Sequence, residues 1–179
     1  PNSIELIGGE NIVVKNCQLG AQPTGITCKV QEVNKLSFIN NQVYPDGREN
    51  LVLDACDNCV IEGNNFKSYY NGILVLNGND NTVNKNILWL TGAVQNQLLD
   101  HGDDFGIINV KGNNNMVASN SLSCEWAYAG AVTVNAVQGT GNVFKNCFVD
   151  NLESYRVFLV NAQTEVSNCV SSDKVSIVE

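Results

Sequence analysis

An apolar residue followed three positions later by Asn, with another apolar residue two beyond, recurs along this chain. The instances are Phe38-Asn41-Val43, Ile61-Asn64-Phe66, Val83-Asn86-Leu88, Val117-Asn120-Leu122 and Val143-Asn146-Phe148. Val14-Cys17-Leu19 opens the series with Cys in the Asn place, and a looser Glu165-Asn168-Val170 closes it. The final apolar positions, 19, 43, 66, 88, 122, 148 and 170, step by 24, 23, 22, 34, 26 and 22 residues. Self-similarity at such a period marks a solenoid. Short apolar runs keep the same beat: Gly25-Ile26-Thr27-Cys28, Asn50-Leu51-Val52-Leu53, Gly72-Ile73-Leu74-Val75, Gly106-Ile107-Ile108-Asn109, Gly130-Ala131-Val132-Thr133 and Arg156-Val157-Phe158-Leu159. Each period therefore holds at least two short strands joined by Asn/Gly turns, and no window is long and periodic enough for a helix. The pattern predicts an all-β chain, a parallel β-helix of about seven to eight coils. At ~5 Å between stacked strands it makes a rod roughly 35–40 Å long.

The recurring Asn has a physical task. A turn inside one coil leaves backbone groups outside the strand ladders, and a buried unpaired group is costly. An Asn at the same turn of each coil can bridge to the turns above and below, and it tolerates left-handed backbone angles. Cys17 shares the position, which favours a buried stack of Asn41, Asn64, Asn86, Asn120 and Asn146 over solvated turn residues.

The Asn-bearing turn, the Gly-led apolar strand and the period of about 23 residues resemble the right-handed parallel β-helix superfamily of pectate lyases and related carbohydrate-active proteins. The resemblance covers nearly the whole chain and implies a fold more than an activity. Within it, Asp100-His101-Gly102-Asp103-Asp104-Phe105-Gly106-Ile107-Ile108-Asn109-Val110, followed by Gly112-Asn113-Asn114-Asn115, is similar to the inulin fructotransferase branch. No catalytic position of that branch maps onto a particular residue here.

Hydrophobic residues make up 44% of the chain, enough for one continuous core, whereas the longest apolar run is far short of a membrane span. Residues 1–179 read as a single domain. Strand-like segments at both termini, Ser3 to Ile7 and Val175 to Val178, with no amphipathic cap, suggest a piece of a longer chain. With 10 basic and 18 acidic residues the net charge is −8, and Arg48 and Arg156 are its only arginines. No basic stripe exists to neutralise phosphates, so nucleic acid is excluded as a partner. The same shortage disfavours an anionic polysaccharide held without bridging cations and makes a neutral glycan the easier substrate.

Seven cysteines invite a disulfide or metal reading. Cys56-Asp57-Asn58-Cys59 is a lone C-x-x-C with no second pair, and His101 is the single histidine, so neither a metal nor a cofactor is expected. Cys147 and Cys169 each follow a repeat Asn directly, which suggests buried free thiols. Such thiols suit a reducing compartment, while β-helix enzymes are commonly secreted or placed at the cell surface, so localisation stays open.

The candidate chemistry gathers where the period stretches. The 34-residue step exceeds its neighbours, and the excess lies between Trp89 and Phe105. Insertions in solenoids emerge from one face and often shape the binding site. This loop carries Asp100, His101, Asp103 and Asp104, and the corresponding stretch one coil later carries Glu125, Trp126 and Tyr128. Asp100, Asp103, Asp104 and Glu125 are the candidate catalytic carboxylates; Trp89, His101, Trp126 and Tyr128 are the candidate substrate contacts. Two carboxyl groups beside aromatic faces are what glycoside chemistry uses. The alternative is an acidic solvated loop whose aromatics cover the coil beneath.

One strand of each coil is apolar at both parities: Ile73/Val75 with Leu74/Leu76, Ile107 with Ile108/Val110, Ala131 with Val132/Val134, and Val157/Leu159 with Phe158/Val160. One parity should then form an apolar stripe outside the core, covered by another subunit or by a further part of the same chain. The resemblance implies a trimer of β-helices as that cover. Two functional classes follow. The first is a carbohydrate-active enzyme acting on an oligosaccharide or polysaccharide, most specifically a fructan-directed glycosyl transferase, with a lyase or glycoside hydrolase next. The second is a non-catalytic stalk, adhesin or fibre segment.

Overall fold

The computed structural model describes residues 2–20, 25–44, 48–70, 72–91, 104–124, 132–150, 157–169 and 175–178. Its strands stack into three parallel sheets. Sheet A holds β1 (Ile4–Glu10), β4 (Cys28–Asn34), β7 (Leu51–Asp54), β10 (Leu74–Asn77), β13 (Ile108–Val110), β16 (Val134–Ala136), β19 (Phe158–Asn161) and β21 (Val175–Val178). Sheet B holds β2 (Val13–Lys15), β5 (Ser37–Ile39), β8 (Val60–Glu62), β11 (Thr82–Asn84), β14 (Met116–Ala118), β17 (Val143–Lys145) and β20 (Glu165–Ser167). Sheet C holds β3 (Gln18–Leu19), β6 (Gln42–Val43), β9 (Asn65–Ser68), β12 (Ile87–Leu90), β15 (Ser121–Cys124) and β18 (Phe148–Asp150). Each strand pairs with its counterpart one coil away, so the chain is a parallel β-solenoid, as the repeat predicts. No helix occurs among the described residues, and so none is long and apolar enough to cross a membrane.

The two tight corners of each coil share a local grammar. Between sheets B and C a left-handed residue (Asn16, Asn40, Gly63, Lys85, Ser119, Asn146 or Asn168) has φ between 51° and 66°. The residue immediately after it turns inward: Cys17, Asn41, Asn64, Asn86, Asn120, Cys147 or Cys169. Asn favours the first task because its short polar side chain tolerates left-handed angles, and the second because its amide can both donate and accept.

The inward residues form the expected ladder. The Asn64 amide N–H and Nδ2 donate to Asn86 Oδ1, each at 2.9 Å, and Asn86 repeats this to Asn120 Oδ1 at 2.9 and 3.0 Å. Asn41 does the same to Asn64 at 2.8 and 3.1 Å. The proposed register slips by one residue in the last two described coils, however. β14 pairs Val117 with Phe144, not Val143, so Cys147 occupies the rung and Asn146 is the exposed left-handed residue beside it. Asn168 and Cys169 are related in the same way. The adjacent tasks, both open to Asn, explain the one-residue slip.

A second ladder, absent from the sequence reading, lines the corner between sheets A and B. Cys59 N–H donates to Asn81 Oδ1, Asn81 N–H to Asn115 Oδ1, and Asn115 N–H to Asn142 Oδ1, at 2.8, 3.1 and 2.9 Å. Left-handed Asn58, Asp80, Asn114 and Gly141 precede these four rungs. The run Gly112-Asn113-Asn114-Asn115 is therefore corner architecture. Beside it Gly78, Gly112 and Gly139 stack so closely that a Cβ on any of them would strike the backbone carbonyl one coil away.

The core between the sheets is continuous and apolar, with Phe38 and Phe66 stacked at 6.1 Å between ring centroids. The expected apolar stripe outside sheet A is not found among the described residues. Leu74, Leu76, Ile108, Val110, Val134, Phe158 and Val160 point into the core, and Ile73, Ile107, Thr133 and Val157 are also buried at the corner just before each strand, with Val132 buried one residue earlier. Both parities read as apolar because the corner residue and the first strand residue both turn inward. Facing out instead is the mixed row Glu5, Lys29, Val52, Val75, Asn109, Asn135 and Leu159. The end of the long insertion crosses part of this face. Asn135 Nδ2 donates to the Asp104 carbonyl at 2.7 Å, and Asn109 bonds both the N–H and the carbonyl of Gly106 at 2.8 Å.

Candidate functional site

The outer face of sheet C carries the concentration of side chains suited to ligand recognition. Strand alternation sends Leu19, Val43, Phe66, Leu88, Leu122 and Val149 inward, so the residues between them face out. Two outward rows run along the solenoid axis. One is Gln42, Asn65, Ile87, Ser121 and Phe148; the other continues through Lys67, Trp89, Ser123 and Asp150. Ile87 and Phe148 are half-exposed, as are Tyr44 and Tyr69 at the ends of their strands.

A groove of about 350 Å³ opens here, lined by Gln42, Val43, Tyr44, Asn65, Lys67, Tyr69 and Thr91. Backbone bonds from Tyr44 N–H to Leu19 O and from Thr91 N–H to Ser68 O, both 2.8 Å, extend the sheet pairing to its rim. The floor is rigid, because it is hydrogen-bonded sheet over packed core. Phenol rings, carboxamides, a hydroxyl and an ammonium face the opening. Asn65 Oδ1 is buried with no hydrogen-bond partner among the described residues. Lys67 is the single charged residue among the described residues of the lining, and its Nζ lies 4.3 Å from the centroid of the Trp89 ring.

Two of the sequence-predicted site residues are described. Trp89 stands on this face beside the groove with Lys67 over its ring. Asp104 is exposed, its carbonyl held by Asn135 outside sheet A. Asp100, His101, Asp103, Glu125, Trp126 and Tyr128 lie outside the described residues. In chain order these residues fall between a sheet C strand and the next sheet A strand, β12 to β13 and β15 to β16. Sequence reasoning missed Gln42, Tyr44, Asn65, Lys67, Tyr69 and Thr91. The available signal was position: the first, third and fifth residues after each inward rung face out on sheet C.

Six of the cysteines have described side chains, and the Cys28, Cys56 and Cys59 thiols fill the core. Cys17, Cys28, Cys56, Cys59, Cys147 and Cys169 are free, and all but Cys17 are buried. Burial pushes Cys28 up to about 12 and Cys59 up to about 11. Cys56 and Cys59 do not act together, since the Cys56 thiol faces the carbonyls of Val30 and Asp54 and the Cys59 thiol those of Val33 and Asp57.

Three stacked parallel sheets with an aromatic and carboxamide groove on one flank define a parallel β-solenoid protein. The family model described as periplasmic copper-binding protein (NosD), a right-handed β-helix family, matches residues 1–167, and the chain belongs to that family. No curated protein matches it. Among solved structures it is similar to DFA-IIIase from Arthrobacter chlorophenolicus A6 without its lid, with a TM-score of 0.81 and 21% identity over 96% of this chain and 45% of that one. The same enzyme in complex with GF2 gives 0.77 and 20% over 96% and 46%, and a mutant of it in complex with DFA-III gives 0.75 and 17% over 96% and 48%. The chain thus spans less than half the length of these structures, and the likeness establishes the fold.

The family description makes copper the metal to test. Copper sites need converging thiolate, imidazole or similar donors. Among the described residues no three His, Cys, Asp or Glu side chains converge, and the Cys56 and Cys59 thiols are turned to separate carbonyls in the core. The described donors do not fit copper.

Proposed function

We propose that this chain is the glycan-binding part of a carbohydrate-active β-helix protein, with an oligosaccharide held in the groove outside sheet C. The observation that carries this reading is the lining itself: Tyr44 and Tyr69 for sugar faces, Gln42, Asn65 and Thr91 for hydroxyls, on a floor that does not reorganise. The likeness to DFA-IIIase structures holding GF2 and DFA-III supports a fructan as the favoured substrate and fructotransferase-type chemistry as the favoured reaction.

Catalysis in this proposal comes from the two loops between sheets C and A. One of Asp100, Asp103 and Asp104 pairs with Glu125, one carboxyl acting as acid and the other as nucleophile or base. Trp126, Tyr128 and His101 contact the sugar from the same loops, and Trp89 from the sheet. A trimer remains the favoured assembly. Its contact face is not the row first expected, because those side chains fill the core.

A second reading, a lyase or glycoside hydrolase on another glycan, shares the groove and differs in the bond broken. The test is incubation with neutral and acidic glycans, inulin included, followed by product analysis. Conversion of inulin to an anhydro-disaccharide supports the fructan reading. Cleavage of another glycan supports the second, and turnover of none with no binding leaves a non-catalytic stalk.

A further inference from the structure

The ladder between sheets B and C replaces Asn by Cys on its last two described rungs, Cys147 and Cys169, and there the replacements are neighbours. Pairing of Phe144 with Val166 and of Lys145 with Ser167 puts the two cysteines in register, one coil apart. The Cys147 N–H donates to Cys169 Sγ at 3.4 Å, as an Asn rung donates to the next Oδ1. Both side chains turn inward and are buried, at 2% and 6% exposure, so the sulfurs share one small interior space. Stacked strands lie about 4.8 Å apart, inside the Cα separation of roughly 4.4–6.8 Å that a disulfide spans. The Cys147 S–H reaches the Val117 and Lys145 carbonyls at 3.6 and 3.5 Å and the Cys169 S–H the Ser167 carbonyl at 3.5 Å, the contacts that oxidation gives up.

We propose that Cys147 and Cys169 are a redox site, a dithiol that closes into a disulfide linking the last two rungs of the ladder. The environment also divides the roles. Hydrogen bonding from the Cys147 thiol and amide N–H holds Cys169 down at about 7 despite its burial, whereas the same thiol hydrogen bond to Cys169, and then burial, push Cys147 up. Cys169 is the attacking sulfur. Its thiolate displaces one half of a small disulfide such as oxidised glutathione, forming a mixed disulfide and releasing a thiolate. Cys147 then attacks Cys169 Sγ, its proton passes to the released thiolate, and the second half leaves as a thiolate that takes up the proton Cys169 had given to solvent. Two protein thiols are oxidised to one disulfide while the small disulfide is reduced to two thiols.

The test is incubation of the folded chain with oxidised glutathione, then alkylation in denaturant and mass mapping. The unmodified protein should lose two of its seven thiols and yield a cross-linked pair of peptides containing Cys147 and Cys169. Its melting midpoint should rise by several degrees and fall back with dithiothreitol. Cys147→Asn and Cys169→Asn, which keep the rung hydrogen bond, should stay folded and lose no thiols to a cross-link. A full thiol count in the treated protein would overturn the proposal, as would a cross-link joining any other pair or one that persists in either Asn variant.

Discussion

Replacing Asn86 by Leu at the centre of the ladder tests how the solenoid is held together. Asn86 is 1% exposed. Its Oδ1 accepts from the N–H and Nδ2 of Asn64, and its Nδ2 donates to the carbonyls of Ile61 and Asn84 and to Asn120 Oδ1. After substitution Asn64 Nδ2 still reaches the Phe38 carbonyl at 2.8 Å, and Asn120 Oδ1 still receives the residue 86 N–H at 2.9 Å. The Asn64 N–H has no such alternative. An orphaned buried donor costs about 1–3 kcal/mol, and the weakened Ile61 carbonyl adds about 1 kcal/mol. Leu burial returns part of this, so the net loss should be about 2–3 kcal/mol. Asn86→Cys should lose only about 1 kcal/mol, because a thiol sulfur can accept the same N–H, as Cys169 does from Cys147. Urea unfolding followed by circular dichroism gives both values. Equal stability of the Leu and Cys variants, or a Leu variant as stable as the parent, would refute the reasoning.

Other expectations follow from the same structure. Gly112→Ala should destabilise by roughly 2–3 kcal/mol, because its Cβ would strike the Gly78 carbonyl; a urea midpoint unchanged from the parent would contradict the stacked corner. Stability should fall as pH rises above 9, the ordinary thiol value. The folded state keeps Cys28 and Cys59 protonated to about 12 and 11 while the unfolded chain releases those protons, so their contribution is complete below 9 and lost above it. Urea midpoints at pH 8, 9 and 10 read this, and Cys59→Val should flatten the decline. Asp100→Asn, Asp103→Asn, Asp104→Asn and Glu125→Gln, assayed singly on whichever glycan is turned over, should include at least one variant slowed by orders of magnitude with unchanged unfolding. Four near-normal rates would remove catalysis from these loops.

The coil repeat was legible because inward apolar residues and corner Asn recur at nearly fixed spacing, and Asn41, Asn64, Asn86 and Asn120 stack as the spacing implies. The slip at Asn146 shows the limit of that pattern: a left-handed turn and a buried rung lie side by side, both accept Asn, and only strand pairing separates them. The second ladder was hidden because its rungs change from Cys59 to Asn81 and keep no constant motif. Ile73 and Leu74 misled for a geometric reason, since strict alternation holds along a strand but not across the corner that enters it. The groove was not legible because Tyr44, Lys67 and Tyr69 come together only when adjacent coils stack.

The most direct test of glycan binding on sheet C is isothermal titration calorimetry with the oligosaccharide selected by the glycan panel, inulin fragments first. The parent should be compared with Tyr44→Ala and Tyr69→Ala, both exposed positions whose loss spares the core. Saturable binding to the parent, weakened about tenfold by either change (about 1.4 kcal/mol) with melting unaltered, is the predicted result. Binding that is unchanged in both variants, or no binding of any glycan by the folded parent, would contradict it.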